Sequence, residues 1–267
     1  MKMLIACLAL SLSSFALAQG TAPSRVQKSD QKVAHKQAVK APKGREATDK
    51  KLWTDPYALP TCPISGEKLG GMGDPVVKTY NGREVRFCCD HCIKDFEADQ
   101  GAAWKKINRA IAKDQLRYYP LDTCVVSGDS LLDDSKGDAV NFVYNNRLFR
   151  LCCKMCKEDI RKDPEKFVEK LDKATADAQR DKYPLDTCIV SGEKLGHEGE
   201  PAEMVVAGRL VRLCCNDCKK DILKDPAKYL AKLDKAWQAK GLYVPKADAG
   251  EAQAEHQEHA EHEDGDD

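Results

Sequence analysis

The chain has 267 residues, enough for several small domains, and its 43 Lys and Arg are matched by 43 Asp and Glu, giving a formal net charge of zero. That balance argues against a broadly basic nucleic-acid-binding surface, and no apolar run approaches the ~20 residues a membrane span needs. Thirteen cysteines in a chain that is only 6% aromatic are what the composition leaves to explain.

In chain order, residues 1–18 read as a secretory signal peptide: Lys2, the apolar stretch Leu4-Ile5-Ala6-Cys7-Leu8-Ala9-Leu10, then Ala16-Leu17-Ala18 before Gln19. The mature chain is therefore expected to be exported, periplasmic or secreted. A lipoprotein-type box ending at Cys7 is the weaker reading, because too few residues precede it to make an apolar core. Residues 19–55 hold cations from Arg25 to Lys51 and almost no large apolar side chain. They are expected to form a basic disordered linker, since they bury too little to offset chain entropy.

Three copies of one pattern follow, at residues 57–116, 119–181 and 183–244. Each opens on a proline-led approach to a cysteine, then Ser-Gly: Cys62-Pro63-Ile64-Ser65-Gly66, Cys124-Val125-Val126-Ser127-Gly128 and Cys188-Ile189-Val190-Ser191-Gly192. Glycine permits positive φ in a tight turn, so this cysteine sits on a knuckle. Two strands are then expected in each copy: 76–80 and 84–87 around Asn81-Gly82, 141–144 and 147–151 around Asn145-Asn146, and 203–206 and 209–213 around Ala207-Gly208.

A Cys-Cys-x-x-Cys run comes next: Cys88-Cys89-Asp90-His91-Cys92, Cys152-Cys153-Lys154-Met155-Cys156 and Cys214-Cys215-Asn216-Asp217-Cys218. It should open a helix that buries Ile93 and Phe96, Ile160, or Ile222 and Leu223. Asp163-Pro164 and Asp225-Pro226 restart a second helix, with Asp as cap and Pro at the first helical position. The second helices carry apolar faces: Phe167, Val168 and Leu171 in copy two, and Tyr229, Leu230, Leu233 and Trp237 in copy three. Copy one departs, with Asp99-Gln100 in place of Asp-Pro. The expected fold class is α+β: three small repeated modules, each a cysteine knuckle plus β-hairpin followed by two helices, between disordered terminal segments. Residues 245–267 form an acidic tail with His256, His259 and His262 spaced by three, a loose site for divalent metal at most.

The repeat uses twelve of the thirteen cysteines. A unit of this size with few aromatics buries too little to be comfortably stable, so it needs a staple. In each unit the helix-start cysteines can share one side of a first turn, where the helix N-terminus favours thiolate, and the knuckle supplies a fourth sulfur. Four thiolates suit a closed tetrahedral Zn site, while three with the fourth loose suit Cu(I) or another thiophilic ion. The candidate ligands are therefore Cys62, Cys88, Cys89 and Cys92; Cys124, Cys152, Cys153 and Cys156; and Cys188, Cys214, Cys215 and Cys218. Disulfides compete with this reading, because oxidising compartments hold paired cysteines. A Cys88–Cys89 bond would be strained, since adjacent Cα atoms stand only ~3.8 Å apart, whereas knuckle-to-helix plus Cys-x-x-Cys pairing stays open.

The knuckle, hairpin, cysteine run and amphipathic helix ending in Asp-Pro-x-Lys-Tyr-Leu resemble the YHS and TRASH heavy-metal-associated domains, a treble-clef type of module. The resemblance covers about two thirds of the chain. It implies metal trafficking, resistance or sensing, and a ligand set of one knuckle cysteine plus a Cys-x3-Cys pair: Cys62, Cys88, Cys92; Cys124, Cys152, Cys156; Cys188, Cys214, Cys218. This chain departs in having Ser65, Ser127 and Ser191 where related knuckles often have a second cysteine. It also adds Cys89, Cys153 and Cys215, which stand as replacements for the missing ligand.

No phosphate loop, nucleophile elbow or His-Glu-x-x-His occurs, and His91 and His197 each appear in one copy only, as solvated side chains. Lys219, Lys220, Lys224, Lys228 and Lys232 read as a solvated helix face. The expectation is a non-enzymatic exported protein that holds or buffers soft or heavy metal ions, with Zn first and Cu(I) or another thiophilic metal second. The alternative is a scaffold stapled by Zn or disulfides. The expected partners are metal ions, with another exported protein as the second option, no nucleic acid and no stable membrane insertion.

Overall fold

The computed structural model describes residues 53–133, 137–197 and 199–242. The expected signal peptide, Cys7, nearly all of the basic linker and the acidic His-bearing tail lie outside these residues. The three units that remain share one architecture, mixed α+β, with a two-stranded antiparallel sheet in each.

Unit one contains β1 (Val76–Tyr80) and β2 (Arg83–Phe87), with Val76 opposite Phe87 and Tyr80 opposite Arg83. Unit two contains β3 (Val140–Tyr144) and β4 (Arg147–Leu151), and unit three β5 (Ala202–Val206) and β6 (Arg209–Leu213). Three strands thus begin one residue before the expected start, because Arg83, Val140 and Ala202 each complete the ladder with Tyr80, Leu151 and Leu213. The two-residue turns require left-handed backbone at both positions: φ is +50° and +81° at Asn81 and Gly82, +46° and +68° at Asn145 and Asn146. Asparagine and glycine tolerate this conformation. Ala207, at φ +49°, does not, and it bears a cost of ~1–2 kcal/mol for its Cβ there.

Two helices follow each hairpin: α1 (Asp90–Ala98) and α2 (Gln100–Leu116), α3 (Cys156–Lys162) and α4 (Pro164–Gln179), α5 (Cys218–Lys224) and α6 (Pro226–Ala239). The second helix is capped the same way in all three units. Asp99 accepts from the Ala102 amide at 3.0 Å, Asp163 from Lys166 at 3.4 Å and Asp225 from Lys228 at 3.2 Å. Unit one therefore keeps the aspartate cap and departs only in lacking proline after it.

The first helix starts later than the cysteine run suggests. In units two and three only the third cysteine is helical, and in unit one Cys89 is the extended residue before the helix. The paired cysteines instead occupy the bend that turns the chain out of the hairpin.

Each unit buries its own apolar cluster. Phe87, Phe96 and Ile107 are fully buried in unit one, Phe149, Leu151 and Ile160 in unit two, and Leu213, Leu233 and Trp237 in unit three. Leu223 is an exception to the expected buried set: it is exposed, because the two apolar neighbours at the end of α5 cannot both face the core, and Ile222 does.

The units are also joined by buried polar contacts. Arg147, 1% exposed at the head of β4, pairs with Asp172 of its own unit at 2.5 Å. It also pairs at 2.6 Å with Asp55, the last residue of the expected disordered linker, which is itself buried and held against unit two just ahead of unit one in the chain. Arg209, in the same place on β6, pairs with Asp114 of unit one and Asp234 of α6, both at 2.8 Å. Gln115, near the end of α2, donates to the Asn146 carbonyl and accepts from the Leu148 amide, both at 2.8 Å. Gln179 does the same from α4 with Gly208 and Leu210, at 2.9 and 2.8 Å. Each of these helix ends thus clamps the next unit's hairpin, so units one, two and three contact one another rather than hanging as separate beads. Arg86 adds a contact between units one and three, donating to the Leu223 and Lys224 carbonyls at the end of α5.

Candidate metal centres

The knuckle is a small closed turn built by backbone bonds and braced by its serine, whose hydroxyl accepts from the amide two residues on at 3.2 Å in every unit. The Cys62 amide donates to the Glu67 carbonyl at 2.8 Å, the Gly66 amide donates back to the Cys62 carbonyl at 2.9 Å, and Thr61 and Lys68 form an antiparallel bridge. Gly66, at φ +78°, is what lets this turn close. The same bonds recur around Cys124 with Asp129 and Gly128, and around Cys188 with Glu193 and Gly192. The hairpin then carries the chain out and back, so that its last residues deliver the cysteine pair beside the knuckle.

The result is three sulfur triads. Cys62, Cys88 and Cys92 have their sulfurs within 4.8 Å of one another, as do Cys124, Cys152 and Cys156, and Cys188, Cys214 and Cys218. Cys89 is not in the first set, but its sulfur is 3.9 Å from that of Cys88 and 3.8 Å from that of Cys92. Cys153 stands 3.7 Å from Cys156, and Cys215 3.9 Å from both Cys214 and Cys218. All twelve cysteines are free thiols. Four sulfurs at the ~2.3 Å Zn–S distance stand ~3.8 Å apart. The sulfur pairs in contact within each cysteine run, 3.6 to 3.9 Å apart, match that spacing, while the second cysteine of each pair stays outside the close set that includes the knuckle sulfur.

The knuckle serines reach the first cysteine of each pair. The hydroxyls of Ser65, Ser127 and Ser191 each lie 3.3 Å from the sulfur of Cys88, Cys152 and Cys214 respectively. Unit two adds a carboxylate, with Asp129 3.6 Å from the Cys152 sulfur. His91 takes no part: its side chain is 80% exposed and meets only Asp95, at 3.7 Å.

The four thiols of a unit differ in acidity. Burial pushes the Cys62 thiol up, but the amides of Cys88, Ser65 and Ile64 and the Ser65 hydroxyl outweigh it and bring it down to about 7. Equivalent amides and hydroxyls bring Cys124 to about 7 and Cys188 to about 6 against the same burial. Cys89 is lowered chiefly by the Cys92 amide, Cys153 by that of Cys156 and Cys215 by that of Cys218. The helix N-terminus therefore acts on the second cysteine of each pair. Cys92, by contrast, is pushed up to about 12 by burial and by its sulfur neighbours, and Cys156 and Cys218 are pushed up for the same reasons. Each centre thus combines two thiols whose acidity is raised by nearby amides with a buried thiol that holds its proton more tightly.

The buried arginines, the clamping glutamines and two tyrosines are residues that reading the sequence alone passed over. Tyr119 accepts from the Arg150 amide at 3.0 Å and Tyr183 from the Arg212 amide at 3.1 Å, tying each knuckle approach to its hairpin. The available signal was their recurrence: Arg83, Arg147 and Arg209 all follow the hairpin turn directly. Comparison with protein-family models, with curated proteins and with solved structures finds no match to this chain.

Proposed function

We propose that this chain is an exported, non-enzymatic protein that holds or buffers soft or heavy metal ions through thiolates in three modules of YHS/TRASH-like type, with Zn or a Cu(I)-like ion as cargo. One observation carries the reading: the same sulfur triad, closed to within 4.8 Å, is built three times from the same local elements. Supporting it, one or two thiols per unit are only partly buried, Cys88 and Cys89 in unit one among them, which leaves the centre open to exchange with an acceptor. The signal-like residues 1–18 support placement outside the cytoplasm.

A second reading, a scaffold merely stapled by metal, draws on the buried ion pairs of Arg147, to the segment ahead of unit one, and of Arg209, between units one and three. The two differ in what chelation does. A holding protein gives its metal to a strong chelator and keeps its helical circular dichroism, because buried arginine pairs and glutamine clamps still join the units. A stapled scaffold loses its fold with its metal.

A further inference from the structure

Units one and three each contain a second sulfur triangle beside the first. In unit one Cys88, Cys89 and Cys92 close it with edges of 3.9, 3.8 and 3.6 Å. In unit three Cys214, Cys215 and Cys218 close it with edges of 3.9, 3.9 and 3.7 Å. In both, the new triangle shares one edge, Cys88–Cys92 or Cys214–Cys218, with the triad that includes the knuckle cysteine. Unit two has Cys153 within 3.7 Å of Cys156 and Cys152 within 3.8 Å of Cys156.

A tetrahedral ion draws four sulfurs equally around one point, whereas a three-coordinate ion needs only a triangle. Three sulfurs at ~2.3 Å from a central ion stand ~4.0 Å apart, close to the edges of both triangles. Thiolate is the ligand type that selects Cu(I), and a thiolate sulfur has lone pairs enough to bridge two ions. Two monovalent ions also bring a four-thiolate centre the same charge as one divalent ion.

Resting on the metal-binding reading above, we propose that units one and three each take two monovalent soft ions of the Cu(I) class, one in each triangle. Cys88 and Cys92, and likewise Cys214 and Cys218, bridge the pair. Binding changes no oxidation state: each thiol loses its proton to water, and the resulting thiolate shares a sulfur lone pair with the ion. The inner ion sits against Cys62, which is 1% exposed, and the outer one against Cys89, which is partly exposed and so is the position open to exchange.

The test is an anaerobic titration of the reduced full chain with Cu(I), counted by native mass spectrometry beside a parallel titration with Zn. The proposal expects about five Cu(I) per chain, two in each of units one and three and one in unit two, against about three Zn, with a short copper–copper path in X-ray absorption. The C89S/C215S variant should lose about two Cu(I) and still take about three Zn, and that Zn count also reports that its centres remain folded. A wild-type chain that stops at about three or four Cu(I), or a variant that loses none, overturns the proposal while leaving the metal-binding reading in place. Failure to bind either ion overturns both.

Discussion

The sulfurs at each centre are not equivalent, and single substitutions should separate them. Cys92 stands 3.6 Å from Cys88 and 3.8 Å from Cys89 and belongs to the triad with Cys62, so Cys92→Ser removes a ligand from every arrangement the unit offers. Chelator competition should show its unit losing Zn affinity by ~100-fold or more, and Cys89→Ser losing clearly less, since Cys89 lies outside the closest set. Equal losses would mean that Cys89 swings in as a full fourth ligand. The acidity pattern yields a second expectation for metal-free, reduced protein. The knuckle cysteines have folded values near 6 to 7, below the ordinary value of 9.0, so their contribution to stability is complete above pH 9, declines as pH falls, and is lost below about 6. Cys92 is raised, so its contribution runs the other way and is lost as pH rises beyond 9. The melting temperature should therefore climb from pH 6 to about 9 and then fall; a flat profile over that range would contradict these acidities.

At the scale of elements, the hairpins and second helices were legible because their causes are local. Asn81-Gly82 sets a turn whatever surrounds it, and Asp163-Pro164 and Asp225-Pro226 announce cap and first turn in adjacent residues. The start of the first helix was misplaced because the cysteine pair follows the bend demanded by the knuckle contact, which helical spacing does not express. The clamps were not legible at all. Gln115 and Gln179 look like ordinary helix-surface residues, yet each places one amide against a carbonyl and an amide of the next hairpin. Removing either side chain leaves both of those buried groups without their partner. Gln115→Ala and Gln179→Ala should each destabilise the fold by ~1–3 kcal/mol in denaturant titration. No measurable change would show that water replaces the clamp.

In the whole molecule, the three units are joined through charges that the sequence presents as surface cations. Arg147 reaches past its own unit to Asp55, and Arg209 reaches Asp114 while its guanidinium lies 4.1 Å from the centre of the Tyr118 ring. Nothing in a single repeat distinguishes such an arginine from a solvated one; only its recurrence at the strand head does. Arg147→Ala should cost ~3–5 kcal/mol, because it strands Asp55 and Asp172 without a counter-charge, and equilibrium unfolding will read the loss. A value below ~1 kcal/mol would mean that the segment around Asp55 is held against unit two by other means.

Central to all of this is that three thiol centres hold metal, and the direct measurement is metal content. Full-length chain should be purified without added metal, kept reduced, supplied with Zn and weighed under native conditions. The account predicts about three Zn per chain, released together with the protons that the thiols would otherwise retain. Protein isolated without reductant that carries neither metal nor free thiol, and that stays metal-free once reduced and offered Zn, would contradict it.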